Sequence, residues 1–144
     1  MKKLVEFKVE GDPGTKGRPR LSKNGKVYTP PGTRHYEGRV QRACTQALPD
    51  SETFEPVSGP IAISVRMICR RPYGAKGEGR GWCPYSRQRP DVDNCLKVVM
   101  DGLNKHLYGD DRQVCKATVT KRYCGKGELP HILVKVWSLE DADC

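Results

Sequence analysis

A chain of 144 residues is the size of one domain and can bury a core without disulfide staples. Its 26 lysines and arginines against 17 aspartates and glutamates give a formal charge of +9, which favours polyanionic partners, nucleic acid foremost. No apolar run approaches the roughly 18 residues needed to cross a bilayer. Charges interrupt Leu4 to Glu10, so no signal-peptide hydrophobic segment forms, and a cytoplasmic protein without a membrane partner is expected. Seven cysteines (Cys44, Cys69, Cys83, Cys95, Cys115, Cys124, Cys144) form no C-x-x-C pair, which fits reduced thiols better than a secreted framework or a zinc site. Charge alone leaves the plain reading, a soluble basic surface, open.

The elements follow in chain order. Val5, Phe7 and Val9 alternate with Glu6, Lys8 and Glu10, the period of a half-buried strand. From Gly11 to Arg20, glycines and prolines forbid regular structure while Lys16, Arg18 and Arg20 project from the backbone, a basic loop. The Asn24-Gly25 turn signal predicts a short hairpin between Leu21–Lys23 and Lys26–Thr29. Thr33 is a candidate helix N-cap, and Tyr36, Val40, Ala43 and Ala47 recur at helical spacing as far as Leu48. The other faces of that helix carry Arg34, Arg39 and Arg42, within reach of phosphates. Ile61, Ile63, Val65, Met67 and Cys69 alternate without a break, a strand expected to be central.

Between 70 and 89 lie five arginines, Tyr73, Trp82 and Tyr85 with no periodicity. Such a loop suits nucleic acid, arginines meeting phosphates and rings stacking on unpaired bases; Arg87 and Arg89 are its contribution nearest the acids that follow. Leu96, Val99, Met100, Leu103 and Leu107 then line one face of a helix that Gly109 ends. Cys115, Ala117 and Val119 predict a strand, and Ile132–Leu139 a last one. The order β, hairpin, α, β, α, β, β predicts a single α/β or α+β domain over 1–144, with a mixed sheet packed by two main helices.

Acids gather around the second helix. Pro90 biases the preceding residue to extended backbone; if the extension persists, Asp91 and Asp93 face one side with Cα atoms roughly 6.5 Å apart. Lys97 and Asp101 follow at single-turn intervals on the same flank, beside the apolar stripe. Asp110 and Asp111 stand beyond the far end of a helix about 21 Å long, so they rejoin Asp91 and Asp93 only if the chain folds back. A carboxylate nest suits magnesium, which takes oxygen ligands and is held by one or two carboxylates together with phosphate oxygens. Each acid also has a plain structural reading, as helix cap, i,i+4 partner of lysine, or turn residue. Their conjunction in a chain of charge +9 favours the metal, because acids near a polyanion-binding face need compensation.

The pattern Asp91-x-Asp93-Asn94-x-x-Lys97-x-x-x-Asp101, followed by Asp110-Asp111, resembles the signature of the RusA family of Holliday junction resolvases. Gly11-x-Pro13-x-x-Lys16-Gly17-Arg18-Pro19-Arg20, Val27-Tyr28-Thr29-Pro30 and Thr33-Arg34-x-Tyr36 resemble its phage branch, so most of the chain is covered. The resemblance implies a small α/β fold with a mixed sheet. It also implies a homodimeric, Mg2+-dependent endonuclease, with Mn2+ able to substitute, that nicks symmetric strands of a four-way junction in DNA recombination and repair. By this resemblance Asp91, Asp93 and Asp111 correspond to metal-binding catalytic acids, Lys97 to the catalytic lysine and Asp110 to a companion metal-binding acid. Lys16, Arg18, Arg20, Arg34, Arg87 and Arg89 are the expected DNA-binding residues. A two-fold dimer supplies two equivalent sites for paired cuts. Two departures stand out: the long 70–89 loop, which could broaden recognition to flaps or forks, and Gly102 where the family usually has alanine, expected to matter little.

Two rivals remain. In a non-catalytic nucleic-acid-binding module the acids are caps and the basic loops bind alone, so magnesium changes nothing. A PD-(D/E)xK nuclease shares the Pro90-Asp91 opening but needs an acid two residues before a lysine at the start of the next strand, which is missing.

Overall fold

The computed structural model describes residues 1–14, 17, 19–50, 52–71 and 91–143. Nine-residue β1 (Lys2–Glu10) is followed by the two-residue strands β2 (Arg20–Leu21) and β3 (Val27–Tyr28), α1 (Pro31–Ala47), β4 (Ile61–Cys69), α2 (Val92–Leu103), β5 (Val114–Tyr123) and β6 (His131–Ser138). β2 and β3 pair as the hairpin that Asn24-Gly25 predicts, Arg20 opposite Tyr28 and Gly25 at positive φ. The four long strands form one mixed sheet in the order β1-β6-β4-β5. β6 runs antiparallel to both neighbours, whereas β4 and β5 are parallel. The expected order of elements and the mixed sheet are both present.

The period of two decides which face is buried. Val65 lies between Val134 of β6 and Val119 of β5, and Phe7 pairs with Val134 from β1. Val5, Phe7, Val9, Ile63, Val65, Met67, Ile132, Val134 and Val136 join Val40 and Cys44 of α1 and Val98, Val99 and Leu103 of α2 in one core. Glu6, Lys8, Ser64, Arg66, Thr118, Thr120 and Lys135 occupy the alternating positions on the opposite face. β4 is buried at nearly every position, on both faces of the sheet, and its apolar run is correspondingly almost continuous.

Two boundaries differ from expectation. α1 begins at Pro31, whose fixed φ and missing N–H suit the first helical turn, with Pro30 as N-cap. Thr33 is therefore inside the helix and buried, and its hydroxyl accepts the Gly17 N–H at 2.9 Å, tying the basic loop to α1 instead of capping it. α2 ends at Leu103 rather than running on to Leu107. Lys105 adopts φ of 62°, and the amides of His106 and Leu107 both return to the Leu103 carbonyl, closing a tight turn. Leu107 is still fully buried, so its apolar spacing reflects the core and not the helix.

Parallel strands need a crossover, and α2 supplies it between β4 and β5. The β5–β6 connection is clamped differently. Arg122 grips Glu128 with Nη1–Oε1 at 2.5 Å and Nη2–Oε2 at 2.8 Å, and the Gly125 N–H donates to Oε1 at 2.9 Å. The Arg122 guanidinium, with that amide, holds the Glu128 carboxyl at about 2 against an ordinary 4.5. A carboxyl depressed in the folded state stabilises the fold above its unfolded value and loses that contribution as pH falls through the folded one. Glu128→Gln is thus expected to cost about 1 kcal/mol at pH 7, kept modest because both side chains are about 30% exposed. Thermal melts of wild type and variant should converge as pH is lowered from about 4.5 towards 2; a gap that stays constant over that window would remove the ion pair from the account.

Candidate active site

The acids are positioned by the crossover. In a β-α-β unit with parallel strands the helix runs back against them, so α2 begins at the end where β4 finishes and ends where β5 begins. Asp91 and Asp93 therefore occupy one end of α2, and Asp110 and Asp111 enter beside the other. Asp91 is the N-cap residue, in extended backbone, yet its side chain makes no capping hydrogen bond; among the described residues it accepts a hydrogen bond from the Asn94 amide at 3.4 Å. Asp93 stands exposed in the first turn, where the helix dipole favours a negative charge. Lys97 is exposed one turn later and forms no ion pair with Asp93 or Asp101. The cap and i,i+4 readings thus leave the carboxylates of Asp91 and Asp93 unexplained.

At the other end the turn at 104–108 sends the Tyr108 side chain back beneath α2. The ring is fully buried, and its hydroxyl lies 2.9 Å from the Met100 carbonyl and 3.0 Å from Asp111 Oδ1. Burial pushes the phenol far above its ordinary range, and the charges of Asp111 and Asp101 push it the same way, so Tyr108 stays a neutral donor. Asp111 is half-buried. Asp110 is occupied otherwise: its carboxylate caps the 111–113 turn by accepting the Arg112 N–H at 2.8 Å and pairs with the Arg112 guanidinium at 3.2 Å. Those bonds from Arg112 hold its carboxyl below the usual range. Gln113 completes the capping box, accepting the Asp110 N–H at 2.9 Å and donating to the Val57 carbonyl at 2.8 Å.

The chain folds back by only about one helical turn. Asp111 comes beside the Met100–Asp101 stretch, while Asp91 lies ten positions earlier, about 15 Å along the axis. Among the described residues no three His, Cys, Asp or Glu side chains form a group that could hold a metal ion. As oxygen donors the acids fit a magnesium ion that keeps its waters and adds phosphate oxygens. As a preformed cage within one chain they do not. Cys44 and Cys95 are no alternative ligands, since burial pushes both thiols up to about 12.

The Arg34 end of α1 lies beside the Asp91 end of α2. Tyr36 of α1 is within electrostatic reach of Cys95 of α2, Val40 packs on Gly102, and Thr45 Oγ1 meets His106 Nε2 at 2.7 Å. The two helices therefore run side by side in the same direction, and their N-termini lie together. Arg34 is exposed in the first turn of α1, and Arg20 is exposed on the hairpin. Arg39, in contrast, stacks 5.5 Å above the Tyr36 ring and donates to the Glu10 carbonyl, a structural task. Lys16, Arg18, Arg87 and Arg89 lie outside the described residues, as does 72–90 of the arginine-rich loop. Tyr108 and Gln113 carry no sign in the sequence of their work at this site, because an aromatic before a Gly-Asp-Asp turn reads equally as core.

Comparison with known proteins adds an independent finding. The model of the family described as endodeoxyribonuclease RusA matches residues 10–136. A Bacillus subtilis (strain 168) protein named "Uncharacterized protein YqaN" is 32% identical over 141 residues, 92% of this chain and 94% of that protein. The crossover junction endodeoxyribonuclease rusA of Lactococcus phage r1t is 30% identical over 118 residues, covering 79% of this chain and 83% of the phage protein.

Proposed function

Since this chain belongs to the RusA family of endodeoxyribonucleases, we propose that it is a Mg2+-dependent, homodimeric nuclease that resolves four-way DNA junctions by symmetric nicking in recombination and repair. The observation that carries this reading is the pair Asp91 and Asp93. Two exposed carboxylates, without a capping bond or an ion pair among the described residues, sit at the end of α2 that lies beside the Arg34 end of α1, in a chain with charge +9. In a protein that only bound DNA they would repel phosphate.

Magnesium, when bound, would supply Lewis-acid stabilisation of the phosphate and a more acidic attacking water. Asp91, Asp93 and Asp111 are the residues to hold it, with Asp110 a weaker candidate because its carboxylate is engaged by Arg112. Lys97, exposed one turn beyond Asp93 and without an ion pair among the described residues, is placed to offset negative charge on the phosphate. Arg20 and Arg34 anchor the DNA backbone beside it, joined by Lys16, Arg18, Arg87 and Arg89 of the basic loops. The homodimer bears on the acids as well as on paired cutting. With one group at each end of α2, a two-fold partner laid against that helix is a means of setting Asp91 and Asp93 of one copy near Asp111 of the other.

The test is incubation of the full-length protein with fixed four-way junctions, flaps and linear duplex, with and without Mg2+. Paired, symmetric nicks in the junction only when Mg2+ is present are expected. Equal junction binding with and without Mg2+ and no cleavage would instead favour the binding-module reading. Lys97→Ala is expected to slow nicking by about a hundredfold with an unchanged melting temperature; an unaltered rate would take Lys97 out of the chemistry.

A further inference from the structure

We propose that Tyr108 is a positioning residue for Asp111, holding that carboxylate in place from beneath α2; this deepens the functional reading above and rests on it. The Tyr108 hydroxyl has one proton and two acceptors within reach, the Met100 carbonyl at 2.9 Å and Asp111 Oδ1 at 3.0 Å. Met100 already accepts the Asn104 N–H at 2.9 Å, the bond that closes the last turn of α2. A carboxylate is also the stronger acceptor. The proton therefore goes to Asp111.

The holder is rigid. Tyr108 is fully buried, and its backbone is fixed on both sides: its carbonyl accepts the Lys105 N–H at 2.7 Å, and it bridges Val57 and Asn104. Asp111 stands half-buried at the first residue of a three-residue turn. Gln113 and Asp110 fix that turn's backbone, while the Tyr108 hydroxyl fixes the orientation of Asp111 Oδ1. A ligand carboxylate oriented by a buried hydrogen bond binds a cation without first losing rotamer freedom, and removal of such a supporting bond typically weakens metal affinity by tenfold or more.

Tyr108→Phe keeps the ring in the core and deletes only the hydroxyl. Mn2+ binding to the DNA-free protein, followed by the loss of the free-ion EPR signal, is expected to weaken by about tenfold. The Mg2+ concentration that half-saturates junction nicking should rise by a similar factor, with the rate at saturating Mg2+ less affected. In an Asp111→Asn background the same substitution should add no further loss of Mn2+ affinity, since there is no longer a carboxylate to orient. Wild-type Mn2+ affinity and Mg2+ dependence in Tyr108→Phe, or a full additional loss in the Asp111→Asn background, would overturn the assignment alone. A wild-type protein that neither binds Mn2+ nor nicks junctions would overturn the functional reading, and this assignment with it.

Discussion

Asp91→Asn or Asp93→Asn is expected to lower Mg2+-dependent nicking of a four-way junction by at least about a thousandfold, equivalent to roughly 4 kcal/mol of transition-state stabilisation, while junction binding persists or tightens. Asparagine keeps the shape and removes the charge, so a cation loses an anionic ligand and the DNA phosphate loses a repulsive neighbour. The fold should hardly notice. Asp91 makes no capping hydrogen bond, and Asp93 is an exposed first-turn residue, so each change should stay within about 0.5 kcal/mol of wild-type stability. Asp111→Asn should abolish nicking too, but with a measurable drop in melting temperature, because that side chain is half-buried and bonded to Tyr108. Nicking assays, gel shifts without divalent metal and thermal melts separate these outcomes. Loss of binding in all three variants would make the acids structural.

What could be read in advance followed from short-range physics. The alternation in Val5–Val9 and Ile61–Cys69, the Asn24-Gly25 turn and the apolar stripe from Leu96 to Leu103 each depend on neighbours within a few residues, and each appears as an element of the expected kind. The helix end at Leu103 was not legible, because Leu107 continues the helical spacing while packing in the core from a turn. Thr33 misled for a related reason: a cap-forming residue was available, but Pro31 is the better first-turn residue and Thr33 is bonded to Gly17, sixteen positions away. At the site the acids themselves were visible from the motif. Their separation by the length of the helix was legible as well, but how far the chain folds back to close it was not, because that depends on β4 and β5 being parallel, a pairing between strands 45 or more residues apart that no local pattern encodes. The commitment of Asp110 to Arg112 and the bond from Tyr108 to Asp111 span only two and three residues, yet they depend on the shape of the turn, which residue types alone do not set.

Gly102→Val is expected to destabilise the protein by about 3 kcal/mol and to lower its melting temperature by roughly 10 °C. Alanine is usual here in the family the chain resembles, which makes the glycine look inconsequential, but its surroundings argue otherwise. A Cβ at 102 would lie 3.1 Å from the Glu37 carbonyl oxygen and 3.1 Å from both Cβ and Cγ1 of Val40. Val40 is fully buried and the Glu37 oxygen belongs to the α1 backbone, so neither can retreat unless the helix moves. For Gly102→Ala two terms of about 1 kcal/mol oppose each other, the gain in helix propensity and the cost of pushing α1 outward by a few tenths of an ångström. Valine keeps little of the first gain and adds two methyl groups to a contact that has no room for one. Because α1 carries Arg34 and α2 carries Asp91 and Asp93, the width of this crossing also sets how far the phosphate-binding cation stands from the acids. Nicking by Gly102→Val should therefore fall even at temperatures where the variant is fully folded, with junction affinity and melting curves measured alongside. A valine variant that melts within about 2 °C of wild type would mean that α1 and α2 are less closely apposed than the contacts at Gly102 require.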